Sequence, residues 1–94
     1  MSDTVIDDPA GSRYVLQRDG RQIGQSVYER GPGTITFLHT EIDPEFAEHG
    51  LGSKLVKASL DDVRATSTDR VIAVCPFVRA YLRRHPEDED LLSR

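Results

Sequence analysis

Hydrophobic and polar positions divide the chain into strand-like segments, followed by helical ones. Residues 13–18, 22–30 and 34–43 are short runs rich in β-branched and aromatic residues, which predict three strands. Asp19-Gly20 and Gly31-Pro32-Gly33 separate these runs, and both are typical turn sequences. The three segments therefore predict an antiparallel meander.

A helix and a fourth strand are predicted next. Apolar residues recur at helical spacing and give one helix an apolar face; they are Leu51, Leu55, Val56, Leu60 and Val63. Residues 70–75 contain the apolar run VIAVC, which suits a buried strand. A strand, a helix and a strand in this order favour a right-handed parallel crossover.

A second helix is predicted from Pro76 to just before Pro86. Proline suits the first helical position, so Cys75 is expected at or near the N-cap. The apolar contacts of this helix are expected to be Phe77, Val78, Tyr81 and Leu82. The acidic run at 87–90 is expected to be solvated. The sequence thus predicts an α+β domain with a small sheet and two helices.

Length and composition favour one globular domain. The chain has 94 residues, of which 37% are hydrophobic, enough for a modest core. Residues 1–11 are polar and are predicted to be a flexible N-terminus, which leaves 12–94 as the single domain. No apolar run approaches a membrane span and residues 1–10 lack a signal-peptide pattern, so a cytoplasmic location without membrane contact is expected.

Charge and cysteine content restrict the classes of partner. A net charge of −4 argues against nucleic-acid binding and suits a cationic partner such as an amine. The single cysteine excludes an intramolecular disulfide, and together with three scattered histidines it argues against a structural metal site. The oligomeric state is left open.

A glycine-containing turn joins the third strand to the first helix. It reads His49-Gly50-Leu51-Gly52-Ser53. A strand, a glycine turn and a helix N-terminus form a row of backbone N–H groups that suits an anion, most often a phosphate. The alternative is an ordinary turn in which glycine supplies backbone freedom.

The runs HTEIDPEFAEHGLGSKLVKASL and VCPFVRAYLRRHPE resemble the GNAT acetyltransferase superfamily. More closely, they are similar to minimal GNAT-like proteins of the N-acetyltransferase domain-containing protein 1 type. The resemblance covers residues 34–92 and implies a minimal GNAT (acyl-CoA N-acyltransferase) fold with acetyl-CoA as co-substrate. The family turn Gln/Arg-x-x-Gly-x-Gly/Ala corresponds here to residues 47–52; both glycines match, and Ala47 departs from the pattern.

The resemblance also implies a set of CoA-binding residues. The pyrophosphate would contact the turn, formed by His49, Gly50, Leu51, Gly52, Ser53 and Lys54. The pantetheine would lie between two splayed strands, along Thr40 to Ile42, with Val74 and Cys75 as the second wall. Arg84 is a further candidate for a CoA phosphate, and the alternative is that it is a solvated charge near a helix C-terminus.

Four residues are candidates for catalysis. A helix N-terminus would stabilise the Cys75 thiolate, which could then accept and pass on an acetyl group; the alternative is a small buried cysteine. His39 and Glu41 are predicted to share a strand face with Ile35 and Phe37, and either could accept the proton of an amine. The alternative is that this pair merely emerges at the solvated end of the sheet.

Tyr81 is the fourth candidate, because the AYLRRHPE segment parallels a tyrosine-bearing helix of the superfamily. That tyrosine can protonate the leaving thiolate, and the alternative is a core aromatic. The resemblance therefore implies an N-acetyltransferase acting on an amine of a protein or a small molecule, directly or through Cys75. Two alternatives stay open: a non-catalytic CoA-binding regulatory module, and an interaction domain without a cofactor.

Overall fold

A computed structural model describes residues 2–46 and 50–94 and shows one five-stranded sheet. The strands lie in chain order and are β1 (Asp3–Asp8), β2 (Arg13–Arg18), β3 (Arg21–Gly31), β4 (Thr34–Ile42) and β5 (Arg70–Ala73). Strands β1 to β4 are antiparallel, and β5 is parallel to β4; the antiparallel pairing of β2 to β4 and the parallel pairing of β5 are as predicted.

Two α-helices and three short 3-10 segments complete the fold. Helix α1 spans Leu51–Thr66 and lies between β4 and β5 in the chain, and α2 spans Pro76–Arg84. The 3-10 segments are Pro9–Gly11, Pro44–Phe46 and Pro86–Ser93, and the last is called the C-terminal segment below. In the part of the chain that the structure describes, no helix is long and apolar enough to cross a membrane.

The core lies between one face of the sheet and the two helices. The sheet contributes the buried residues Tyr14, Leu16, Ile23, Tyr28, Ile35 and Phe37. The apolar face of α1 meets them with all five residues predicted from its spacing, and α2 adds Val78, Tyr81 and Leu82. Within residues 2–46 and 50–94, no helix covers the opposite side of the sheet, which is called the open face below.

The prediction of a flexible end at residues 1–11 is wrong for Asp3–Asp8, which form strand β1. The meander therefore has four strands instead of three. Aspartate disfavours strands, so the sequence pattern gave no strand signal there. Long-range pairs compensate: Asp3 accepts hydrogen bonds from Arg18 and Lys54, and Asp7 accepts one from the Tyr28 hydroxyl.

A second prediction is wrong for His39 and Glu41, which do not share a face with Ile35 and Phe37. Tyr28 pairs with Phe37 while Val27 pairs with His39, so Leu38 is an extra residue in β4. Such a bulge reverses the alternation of side chains beyond it. Ile35 and Phe37 are buried beneath the helices, whereas His39 and Glu41 are exposed on the open face.

The acidic run at 87–90 is only partly solvated, which corrects a third expectation. Asp88 is buried at 5% exposure, and its Oδ1 accepts a hydrogen bond from Arg64 Nη2 at 3.2 Å. Arg64 also binds Asp90, and Leu91 is fully buried in the core. The C-terminal segment is therefore packed against the domain.

Candidate functional site

Strands β4 and β5 separate after a short parallel ladder. Their pairing runs from Thr34 and Arg70 to Phe37 and Ala73. The Phe37 carbonyl oxygen then accepts two hydrogen bonds, from Val74 N at 3.1 Å and from Cys75 N at 2.8 Å. Strand β4 continues to Ile42. Among the described residues no strand lies beside this part of β4, on the edge that faced β5. The ladder therefore ends at Phe37 and Ala73, as the predicted splay requires; we call the region beside the rest of β4 the opening.

The glycine turn lies at the N-terminus of α1. Gly50 is the N-cap residue, with φ +89° and ψ −8°, and the first helical hydrogen bond runs from Lys54 N to Gly50 O at 2.8 Å. The preceding N–H groups, those of Leu51, Gly52 and Ser53, have no acceptor within the helix because they belong to its first turn. They form a row of donors suited to an anion. His49 lies outside the described residues.

Lys54 and Arg84 are two further residues that were predicted to contact CoA. The Lys54 amine is 3.1 Å from Asp3 Oδ2, so in this state it holds β1 on α1. Arg84 is an exposed residue at the C-terminal end of α2, two turns from the Cys75 end. That places its backbone about 10 Å along the helix from Phe77. The structure therefore separates Arg84 from the glycine turn along α2, and its contact with a CoA phosphate stays a prediction.

Cys75 lies at the opening, on the helix side of the sheet. It is the N-cap residue of α2, as predicted from Pro76, and is 3% exposed. Its Sγ donates to Thr40 Oγ1 at 3.5 Å, and Thr40 Oγ1 is 3.0 Å from Ser26 Oγ. Thr40 and Ile42 point toward the helices because they follow the bulge. The Cys75 thiol and the Thr40 hydroxyl thus lie together at the opening, and Ser26 holds Thr40 from β3.

His39 and Glu41 lie on the opposite side of β4. His39 Nε2 is 3.3 Å from Glu41 Oε2, and their side chains are 61% and 55% exposed. Glu41 Oε1 accepts a hydrogen bond from Gln25 Nε2 at 2.6 Å, and Gln25 Oε1 accepts one from Arg13 Nη1 at 2.8 Å. The Gln25 hydrogen bond, followed by His39, lowers the pKa of Glu41 below its ordinary value. Glu41 therefore stays ionised at neutral pH.

Among the described residues, no hydrogen bond or ring contact joins Tyr81 to Cys75 or to the His39–Glu41 pair. Tyr81 is buried at 1% exposure, and its ring stacks on His85 at 4.0 Å. Burial, followed by the Asp88 charge, raises the pKa of its hydroxyl. The charged groups that act on it belong to α1 and the C-terminal segment. The geometry favours the core-aromatic alternative, and a role in protonating the thiolate stays a prediction.

Several site residues have no recognisable signal in the sequence. Ser26 bonds the Thr40 hydroxyl, which in turn accepts from Cys75, only because β3, β4 and α2 converge there. Gln25 and Arg13 reach Glu41 across neighbouring strands. A knowledge of strand register would have found them, since residues directly opposite in adjacent strands share a face.

A cavity of about 340 Å³ lies next to Glu41 at the ends of β3 and β4. Its polar lining includes Gln22, Gln25, Glu41 and Asp43. Two carboxylates make this cavity suited to a cationic group. Among the described side chains there is no group of three His, Cys, Asp or Glu residues that could hold a metal ion.

Comparison with protein families gives one domain match. The model of the family described as GCN5-related N-acetyl-transferase matches residues 13–91. A curated mycothiol acetyltransferase from Segniliparus rotundus is 38% identical over 66 residues, covering 66% of this chain and 25% of the relative. The chain thus spans about a quarter of the length of the curated relative that it matches.

Two solved structures share the architecture. A ribosomal-protein-alanine N-acetyltransferase from Brucella melitensis biovar Abortus superposes with a TM-score of 0.59 at 13% identity, over 80% of this chain and 59% of that one. An N-acetylglutamate synthase from Neisseria gonorrhoeae, complexed with coenzyme A and N-acetyl-glutamate, gives 0.60 at 16% identity, over 87% and 23%. At these identities the likeness concerns the fold.

Proposed function

Because the chain belongs to the GCN5-related N-acetyl-transferase family, as the resemblance predicted, we propose that it transfers an acetyl group from acetyl-CoA to an amine. The observation that carries the proposal is the opening beyond Phe37, since no described strand pairs there with the edge of β4 that lies beside the N-termini of both helices. Unpaired backbone groups need partners. The amide-bearing pantetheine of CoA supplies them.

In this proposal the two sides of β4 have different tasks. The helix side, with the glycine turn, Thr40 and Cys75, receives acetyl-CoA. The open face, with His39 and Glu41, receives the amine. The thioester at the edge of β4 is then accessible from both sides. Glu41 and Asp43 favour a cationic acceptor, because both carboxylates line the adjacent cavity.

His39 is the better proton acceptor of the pair on the open face. A lowered pKa makes Glu41 a weak base. Its carboxylate instead orients the His39 ring through the Nε2–Oε2 contact. As the amine nitrogen attacks the carbonyl carbon, the C–S bond breaks, CoA leaves as its thiolate, and the amine proton passes to His39.

A relay through Cys75 is the second route. Cys75 Sγ attacks the thioester carbonyl, the bond to the CoA sulfur breaks, and the Cys75 proton leaves with CoA as its thiol. The amine nitrogen then attacks the carbonyl carbon of acetyl-Cys75, the new N–C bond forms as the bond from that carbon to Cys75 Sγ breaks, and the amine proton passes to the released Cys75 sulfur. The supporting observation is the position of Cys75 at the N-terminus of α2, beside the end of the ladder.

Transfer to a panel of amines tests the function, with free thiol release and product mass as readouts. The panel contains an alkyl amine, a lysine peptide and a peptide with a free amino terminus. Activity on a panel member supports the enzyme. His39→Ala should lower kcat by about 10²- to 10⁴-fold, the contribution of a general base, and leave acetyl-CoA affinity unchanged.

Intact mass after single turnover separates the two routes. An acetyl adduct that is absent from Cys75→Ala supports the relay, and full activity of Cys75→Ala excludes it. Glu41→Gln is the variant to compare with His39→Ala, because it keeps the shape of the Glu41 side chain and removes the charge that orients His39.

A CoA-binding module without turnover is the second candidate. The observation that favours it is the open face, which no helix of the described chain covers, so an enclosed acceptor pocket is not formed. Saturable CoA binding together with inactivity on every amine of the panel would support this candidate. A cytoplasmic location stays a prediction.

A further inference from the structure

The two glycines of the turn have different surroundings. At Gly52, an added Cβ would meet three atoms of the Phe77 ring, Cζ at 2.5 Å, Cε2 at 3.1 Å and Cε1 at 3.2 Å. At Gly50, no non-neighbouring atom of the described residues lies within 4 Å of an added Cβ. Gly52 therefore provides space for an aromatic ring, whereas Gly50 provides a positive φ.

Helix conformation gives no reason for glycine at position 52. This position is the second residue of α1, where alanine is the better helix former. Its φ lies outside the left-handed region, unlike that of Gly50. The ring of Phe77 is thus the feature that excludes a side chain at this position.

Phe77 is also unusual among the apolar residues of α2. Val78, Tyr81 and Leu82 are buried in the core, whereas Phe77 is 37% exposed. A residue that is one-third exposed contributes little to the core. The Phe77 ring packs against Gly52, and this contact joins the first turn of α2 to the first turn of α1.

We propose that Phe77 is a positioning residue that sets the spacing between the glycine turn and Cys75. Phe77 follows Cys75 by two residues, and Cys75 N is anchored to the Phe37 carbonyl at the base of the opening. The ring therefore separates the predicted pyrophosphate site from the predicted thioester site by a fixed distance. This role rests on the proposed function, since a bound acetyl-CoA must span that same distance.

A thermal-unfolding cycle tests the geometry without any ligand. Gly52→Ala should lower the midpoint by several degrees in the wild-type background, because the new methyl group displaces the ring. In the Phe77→Ala background, Gly52→Ala should leave the midpoint unchanged or raise it. An equal loss in both backgrounds would overturn the assignment of Gly52 to the ring.

Calorimetric titration of the same variants tests the positioning role. Phe77→Ala and Gly52→Ala should each weaken acetyl-CoA binding about tenfold, because they misplace one end of the ligand relative to the other. The double variant should be little weaker than either single one. In Phe77→Ala, binding of 3′-phosphoadenosine 5′-diphosphate, which lacks pantetheine, should stay within about twofold, because the unaltered turn alone holds it.

Ile6→Ala is the control, since it removes an exposed apolar side chain on β1, away from the opening. Unchanged acetyl-CoA affinity in Phe77→Ala, with binding intact in the wild type, would overturn the positioning role alone. Equal weakening of both ligands in Phe77→Ala would also overturn it, because a spacing defect affects only the longer one. Failure of the wild type to bind acetyl-CoA would instead overturn the proposed function, and the unfolding cycle would still test the ring contact.

Discussion

Replacement of Gly50 by alanine should reduce both the stability of the domain and its affinity for acetyl-CoA. Gly50 has φ +89°, in the left-handed region, where an L-residue is strained. That strain costs about 1–2 kcal/mol. No described atom crowds an added Cβ, so the backbone is the source of the cost.

The expected loss of stability follows from these values. Alanine also stiffens the unfolded chain, which returns about 0.4–1 kcal/mol. The net loss in the free energy of unfolding is therefore about 1 kcal/mol, equivalent to about 4–8 °C in Tm for a domain of this size. The effect on binding is separate: a hydrogen bond to a charged group contributes about 1.5–3 kcal/mol, so a methyl group that holds the pyrophosphate off one amide weakens binding about 10- to 100-fold.

Gly33→Ala is the matched control. Gly33 has φ +70°, and within the described chain no non-neighbouring atom lies within 4 Å of an added Cβ. It lies in the turn between β3 and β4, at the end of the sheet opposite the opening. Thermal unfolding should show similar losses for both variants, and calorimetry should show weakened acetyl-CoA binding for Gly50→Ala alone. Equal acetyl-CoA affinities in the two variants would refute the assignment of Gly50 to the pyrophosphate site.

Three further outcomes concern the fold. Hydrogen bonds from Arg18 and then Lys54 hold the pKa of Asp3 well below its ordinary value of 3.8. The stability that the ionised Asp3 contributes is therefore present above pH 3.8 and is lost as the pH falls below it. Acid unfolding of Asp3→Asn should show a weaker pH dependence than that of the wild type. Burial raises the pKa of Tyr28 from 10.0 to about 12. The free energy of unfolding should therefore fall as the pH rises from 10 to 12, and it should fall less in Tyr28→Phe. Leu91→Ala should lower the free energy of unfolding, measured with denaturant, by about 2–5 kcal/mol, since Leu91 is fully buried. A loss below about 0.5 kcal/mol would contradict the packing of the C-terminal segment against the domain.

Local signals made much of the fold predictable. Asp19-Gly20 forms the hairpin turn with positive φ at both residues, and Pro76 starts α2 directly after Cys75. The apolar spacing of α1 predicted its buried face correctly. In each case residues close in the chain determine the structure, so a linear pattern is sufficient.

Long-range contacts were beyond the reach of that pattern. Strand β1 depends on pairs such as Asp3–Arg18, whose partners are 15 residues apart. The bulge at Leu38 depends on the register with β3, so alternation along β4 placed His39 and Glu41 on the wrong face. The Gly52–Phe77 contact joins two helices and has no local signature.

The most direct test of the account is calorimetric titration of the wild-type domain with acetyl-CoA, beside Gly50→Ala and Gly33→Ala. We expect saturable binding at one site per chain, weakened by Gly50→Ala and retained by Gly33→Ala. Absence of binding in the wild type would contradict the central claim, and the glycine turn would then be only a connection between β4 and α1.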